Sequence, residues 1–124
     1  MDFRLENITP ILYVSDMARS LRFYVDILGF QNAGWGNEAF TCVTRDRCGL
    51  YLCCGSQGRP GTWVWMGFDG DIFDLHQALL AQGVPVRLPP TNYSWAYEMQ
   101  VEDPDGHVLR FGTEPDEAKP FSDD

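Results

Sequence analysis

The sequence predicts an α+β fold made of two similar modules, each consisting of a strand, a helix and three further strands. Residues 9–30 read as an extended apolar run, a capped amphipathic helix and a glycine that ends the helix. Residues 62–83 repeat that order. Residues 55–61 contain three glycines and one proline, which disfavour a regular element. We therefore place the modules at about residues 8–54 and 62–112, with a linker at residues 55–61.

The first helix carries signals at both ends. Asp16 can accept hydrogen bonds from the free N–H groups of the first turn. Gly29 can adopt the left-handed conformation that commonly ends a helix. Between them, apolar residues recur at helical spacing at Met17, Leu21, Tyr24, Val25 and Leu28. Short strands are then predicted at residues 31–35, 39–45 and 50–54.

The second module has the same order of signals. A strand is predicted at residues 62–68, followed by a candidate cap at Asp69, a helix near residues 71–82 and a stop at Gly83. Three more strands are predicted at residues 84–87, 96–102 and 107–111. Pro89 and Pro90 predict a loop between the first two of these.

The end of the chain differs in composition from the modules. Residues 113–124 hold two prolines and five acidic residues with little apolar content. We expect one domain at residues 1–113 and an acidic, mobile tail at residues 114–124.

Composition limits the partners of this chain. At 124 residues and 44% hydrophobic content, one globular domain is expected. The net charge of −9 opposes binding to nucleic acid or to an anionic membrane, because their phosphates would be repelled. A cationic ligand would be favoured, although acidity can also serve solubility alone.

Neither a membrane span nor a secretory signal is evident in the sequence. No apolar run reaches the length of a span, and the first ten residues lack the apolar core of a signal peptide. We expect a cytoplasmic protein. The cysteines fit neither a paired CxxC zinc site nor a disulfide framework, and reduced thiols are expected at Cys42, Cys48, Cys53 and Cys54.

Two motifs in combination resemble the vicinal-oxygen-chelate superfamily, which includes glyoxalase I, extradiol dioxygenases and bleomycin-resistance proteins. They are FYVDILGF at residues 23–30 and DPDGHVLRF at residues 103–111. The resemblance covers about residues 8–113. It implies two βαβββ modules with curved mixed sheets, and a homodimer that exchanges the N-terminal strand. Pro10 suits such an arm, because it fixes φ and lacks an N–H, and it suits an ordinary edge strand equally well.

The positions that hold a divalent ion in the metal enzymes of this superfamily carry other residues here. They fall at Thr9 or Pro10, at Thr62 or Trp63, and at Arg110. None of these residues offers an imidazole or a carboxylate, and arginine is permanently positive. The resemblance therefore implies neither a metal nor another cofactor, and no catalytic residue is predicted.

Three segments resemble those of bleomycin-resistance proteins, which bind the drug without destroying it: AFTCVTRD, WVW and WAYEMQVEDPDG. Phe40, Trp63 and Trp95 match aromatic positions that line the drug groove in that family, and Glu98 matches an acidic position. Alternation along a strand puts Trp63 and Trp65 on one face, where they could instead form a packed sheet surface.

The resemblance implies a metal-independent binding protein that sequesters a planar cationic antibiotic, bleomycin-like or similar, in a groove at a homodimer interface. Two alternatives remain. One is a metal-dependent enzyme of the glyoxalase or dioxygenase type that uses atypical ligands such as Glu38, Glu98 and His107. The other is a non-catalytic dimerisation module in which the tryptophans anchor a core or an interface.

Overall fold

A computed structural model describes residues 1–123, and Asp124 lies outside the described residues. The chain forms two compact units, one comprising Met1–Pro60 and the other beginning at Gly61. Each unit contains a helix and a four-stranded sheet with one parallel and two antiparallel strand pairs. The predicted α+β fold of two repeated modules is confirmed.

The first unit has the strand order β1-β4-β3-β2, in which β1 and β4 are parallel. Its elements are β1 (Ile11–Tyr13), α1 (Met17–Leu21), β2 (Gln31–Asn32), β3 (Phe40–Arg45) and β4 (Cys48–Cys53). The strand predicted at residues 31–35 is thus only two residues long. Within residues 1–123, every helix is too short or too polar to span a membrane.

The first helix begins and ends where its sequence predicts. The Asp16 side chain accepts a hydrogen bond from the Arg19 N–H, and Gly29 has φ of 77°. Between these ends, α1 continues as a π-helical stretch at Arg22–Ile27, in which the Leu28 N–H donates to the Phe23 carbonyl at 3.0 Å. Apolar periodicity did not predict this wider turn, because it marks the buried side of a helix and not its hydrogen-bond spacing.

The second unit has the strand order β5-β8-β7-β6, in which β5 and β8 are parallel. Its elements are β5 (Trp63–Gly67), α2 (Ile72–Ala81), β6 (Val86–Asn92), β7 (Tyr97–Glu102) and β8 (Val108–Thr113). In this register Trp65 lies opposite Arg110, and Glu98 lies opposite Gly112.

Two predictions for the second module were wrong. The cap of α2 is Asp71 and not Asp69, because the Asp71 side chain accepts from the backbone N–H groups of Phe73 and Asp74. Pro89 and Pro90 do not form a loop but lie within β6, where the register shifts. Since β6 is an edge strand, it tolerates residues that cannot donate to a neighbour.

The two faces of the second sheet differ in burial. Helix α2 lies against β6, β7 and β8 on one side. Phe73 of α2 contacts Tyr97 on that side, and the alternate residues Met99 and Val101 are fully buried. The opposite face carries Trp63 and Trp65, which are 52% and 49% exposed. Here the prediction that these two tryptophans share one face is confirmed.

Candidate functional site

An open cleft of about 450 Å³ lies on the exposed face of the second unit. It is lined by Trp65, Gly67, Phe68, Asp69, Trp95, Ala96, Gly112, Thr113 and Glu114. The two indoles come from different elements, since Trp65 is on β5 and Trp95 is in the turn between β6 and β7. Strand pairing in the sheet therefore creates an aromatic cleft from residues that are distant in sequence.

Trp65 lies over β8 where that strand has no side chain. A Cβ atom added to Gly112 would come within 2.1 Å of the Trp65 ring, so only glycine leaves room for the indole. The Arg110 guanidinium carbon lies 5.1 Å from the ring centroid, a cation–π distance. These two contacts fix the indole while leaving about half of the residue exposed.

Trp95 is held through one ring face and one edge. Tyr93 stacks on it with ring centroids 4.6 Å apart and an interplanar angle of 6°. The indole N–H donates to Oε1 of Glu98 at 3.1 Å. Because Tyr93 covers one face, Trp95 has its opposite face and its remaining edge to offer a ligand.

Glu98 is buried beneath these rings, at 1% exposure. Arg110 donates to it twice, from Nε to Oε2 at 2.8 Å and from Nη2 to Oε1 at 2.9 Å. These hydrogen bonds lower the pKa of Glu98 and raise that of Arg110, even though burial opposes both shifts. The carboxylate thus positions Trp95 and neutralises Arg110, because both of its oxygens already bind groups of the protein.

The charge at the cleft follows from this pairing. Arg110 is neutralised by Glu98, whereas Asp69 and Glu114 line the cleft and are exposed. Two indoles beside two carboxylates suit a flat aromatic ring that carries a positive charge.

Trp63 lies on the same strand face as Trp65 but is not among the residues that line the cleft. The Arg87 guanidinium lies 5.1 Å from its ring centroid, and Arg87 pairs with Glu102 at 3.5 Å. The sheet therefore repeats a cluster of tryptophan, arginine and glutamate along its exposed face.

Phe40 belongs to the first unit. There it contacts Trp35, with ring centroids 6.3 Å apart, and Tyr51, at 5.1 Å. Of the four predicted site residues, the structure brings Trp95 and Glu98 into direct contact. It adds Trp65 and Gly112, which were not among the predicted site residues. For Trp65, the alternation along β5 was the available signal.

The residues present do not fit a divalent metal ion at the positions that the superfamily uses. Arg110 occupies one of them, and its guanidinium is bonded to Glu98. The histidine proposed as an atypical ligand, His107, is fully buried, and its Nδ1 accepts from the Thr62 N–H at 3.0 Å. Across residues 1–123, no three histidine, cysteine, aspartate or glutamate side chains form a group able to hold a metal.

Residues 4–111 match the Glyoxalase/Bleomycin resistance protein/Dioxygenase superfamily. No curated protein matches the chain with statistical significance.

Solved structures share the fold at low sequence identity. The antibiotic binding protein TnmS3 from Streptomyces sp. CB03234 is 21% identical, with a TM-score of 0.79 over 93% of this chain and 100% of that one. Lactoylglutathione lyase from Agrobacterium tumefaciens is 18% identical, with a TM-score of 0.72 over 89% and 95%. A superfamily member from Sphaerobacter thermophilus is 23% identical, with a TM-score of 0.74 over 89% and 98%. Because a binding protein and an enzyme both share this fold, the fold does not decide between these functions.

Proposed function

Because the chain belongs to the glyoxalase/bleomycin resistance protein/dioxygenase superfamily, we propose that it is a metal-independent binding protein for a planar, cationic small molecule such as an antibiotic. The observation that carries this proposal is the cleft between Trp65 and Trp95, with Asp69 and Glu114 in its lining. A flat ring would stack on the indoles, and its positive charge would be drawn to the aromatic faces and the carboxylates. Binding alone would protect the target of a drug, so no bond in the ligand need change.

The charge of the whole chain supports the same ligand class. A net charge of −9 raises the local concentration of cations around the protein. The ion pair between the buried Glu98 and the partly exposed Arg110 prevents the guanidinium from repelling a cation at the cleft. We therefore propose that Glu98 acts by holding Trp95 and Arg110, and not by direct contact with the ligand.

We further propose a homodimer with an exchanged N-terminal arm, in which Phe40 and Trp63 add aromatic contacts to a shared groove. Support comes from the first ten residues, which form no strand. Within them Met1, Phe3 and Leu5 alternate with polar residues, and all three are more than 60% exposed. This period of two is the pattern of a strand with one apolar face, which a second copy would cover.

Titration of the purified protein with bleomycin and with berberine, a planar cation, tests the binding function in the presence of EDTA. We expect at least one of these probes to bind. Removing one ring, in Trp65→Ala or Trp95→Ala, should weaken binding by about two- to twelvefold, which corresponds to about 0.5 to 1.5 kcal/mol of stacking. Affinity should also fall as salt is added.

Leu80→Ala is the control, since Leu80 is a half-exposed apolar residue of α2, which lies against the other side of the same sheet. Its binding should equal that of the wild type. Unchanged affinity in both tryptophan variants would overturn the assignment of the cleft. Stoichiometric metal whose removal abolishes a catalytic activity would instead favour the metal-dependent enzyme. Unfolding of both tryptophan variants would favour the dimerisation module.

A further inference from the structure

The acidic segment that follows β8 takes a defined path beside the turn that carries Trp95. We call residues 114–123 the strap. Its composition predicts a mobile tail, whereas in the structure residues 116, 120 and 122 of the strap form hydrogen bonds with one residue at the end of β6. Lys119 also lies over the rings of Phe73 and Tyr97, at 5.6 and 5.9 Å from their centroids.

Asn92, the last residue of β6, connects the strap to the sheet. It is 7% exposed, and its side chain is directed at the strap backbone. Its Nδ2 donates to the Asp116 carbonyl at 2.9 Å and to the Pro120 carbonyl at 3.2 Å, and its Oδ1 accepts from the Asp116 N–H at 2.9 Å. One side chain thereby fixes both ends of a turn in the strap.

The last two described residues bind the end of β6 and the turn that follows it. The Ser122 N–H donates to the Asn92 carbonyl at 2.8 Å. The Asp123 side chain accepts from the Ser94 N–H, also at 2.8 Å. Ser94 lies between Tyr93 and Trp95, the two residues whose rings stack at the cleft.

From these contacts we propose that the strap is a positioning element for the ligand cleft, with Asp123 as its principal contact. By accepting from Ser94, Asp123 holds the turn in the conformation that stacks Trp95 on Tyr93. An exposed turn of this kind would otherwise sample several conformations, and ordering it on binding would reduce the affinity. The effect on ligand affinity rests on the proposed binding function, whereas the effect on Trp95 does not.

The experiment uses the 124-residue chain labelled with 5-fluorotryptophan and observed by ¹⁹F NMR without ligand. The resonance of Trp95 is assigned with Trp95→Phe. Deleting residues 122–124 removes the contacts to the turn but keeps the partners of the Asn92 side chain, and deleting Asp124 alone is the control. Asp123→Ala and Asp123→Asn are then compared, because asparagine keeps an oxygen acceptor for Ser94 while losing the charge.

We expect the deletion of residues 122–124 and Asp123→Ala to shift the Trp95 resonance and leave that of Trp35 unchanged. Asp123→Asn and the control should resemble the wild type. With berberine or bleomycin as the probe, the first two variants should bind about three- to tenfold more weakly, as expected for the loss of one or two hydrogen bonds.

Two results would overturn the proposal: an unchanged Trp95 resonance after the deletion, or Asp123→Asn behaving like Asp123→Ala, which would indicate a charge effect. Failure of the wild type to bind any probe would overturn the binding function. A shifted Trp95 resonance would still support positioning by the strap in that case.

Discussion

Glu98 shows how one buried carboxylate can organise a binding surface without contacting a ligand. It accepts two hydrogen bonds from Arg110 and one from the Trp95 indole. Through these bonds it orients the Trp95 indole and holds the Arg110 guanidinium, which lies over Trp65. An acidic residue close to aromatic residues in sequence suggests contact with a ligand. In this structure both carboxylate oxygens of Glu98 instead accept hydrogen bonds from other residues of the protein.

This pairing predicts a pH-dependent contribution to stability. The pKa of Glu98 is below its ordinary range in the folded protein, so the folded state binds this proton more weakly than the unfolded state does. The contribution is therefore present above the ordinary carboxyl pKa and is lost as pH falls through the folded pKa. Glu98→Gln should lower the free energy of unfolding by about 1.5 to 3 kcal/mol near neutral pH. Breaking a fully buried pair would lower it more, but Arg110 reaches solvent.

Urea unfolding at about pH 7 and about pH 3 measures this difference. The difference in free energy of unfolding between the wild type and Glu98→Gln should be smaller at the lower pH. Glu6→Gln, at an exposed position in the first unit, is the control. A gap of equal size at both pH values would show that the charged pair does not stabilise the fold.

At the level of elements, the parallel pair of β5 and β8 builds one wall of the cleft. Their register places Trp65 opposite Arg110, and the indole reaches over Gly112, two residues further along β8. Strand β8 also contributes to the buried face towards α2, through Leu109 and Phe111. One strand pair thus supports the core with one face and the cleft with the other.

Gly112→Ala tests this wall. The added methyl group would overlap the Trp65 ring, so we expect displacement of the indole, weaker ligand binding and a loss of about 1 to 3 kcal/mol of stability. Gly34→Ala is the control, because a Cβ atom there would meet nothing within 4 Å. Both effects can be measured by urea unfolding and by ligand titration.

A double-mutant cycle gives a sharper result. If the overlap with Trp65 causes the loss of stability, Gly112→Ala should cost much less in a Trp65→Ala background. An equal loss of stability in both backgrounds would show that the overlap with Trp65 is not its cause.

At the level of the whole molecule, the fold repeats one module, and each sheet has edge strands that another chain could cover. In the first unit, β1 is an edge strand and follows directly on the exposed N-terminal arm. Exposed apolar residues in an extended arm are typical of a segment that packs on a partner.

We predict a homodimer with twice the 14.1 kDa chain mass, measured by light scattering at about 10 µM. Replacing Phe3 and Leu5 with serine should promote dissociation, because it removes the apolar side of the arm. Arg4→Ser with Glu6→Ser alters the alternate positions and should leave the dimer intact. A wild-type monomer, or equal dissociation of both double variants, would exclude an arm-mediated dimer.

Local sequence signals predicted the features that depend on near neighbours. Asp16 and Gly29 mark the ends of the first helix, and the same order of signals in the second half predicts a repeated α+β module. The predictions at Asp16 and Gly29 held because a cap or a left-handed glycine acts within a few residues of its own position. In the second module the same signal was placed two residues early, since Asp71 and not Asp69 caps the helix.

The candidate site, in contrast, forms only when distant segments of the chain fold together. Trp65 and Gly112 meet because β5 pairs with β8, and the strap reaches the Trp95 turn because Asn92 binds residues 24 to 28 positions away. Pro89 and Pro90 remain within a strand because β6 lies at the edge of its sheet. Each of these outcomes depends on contacts between segments that are distant in sequence. Such contacts determine which strands pair and in what register, and local propensity does not encode them.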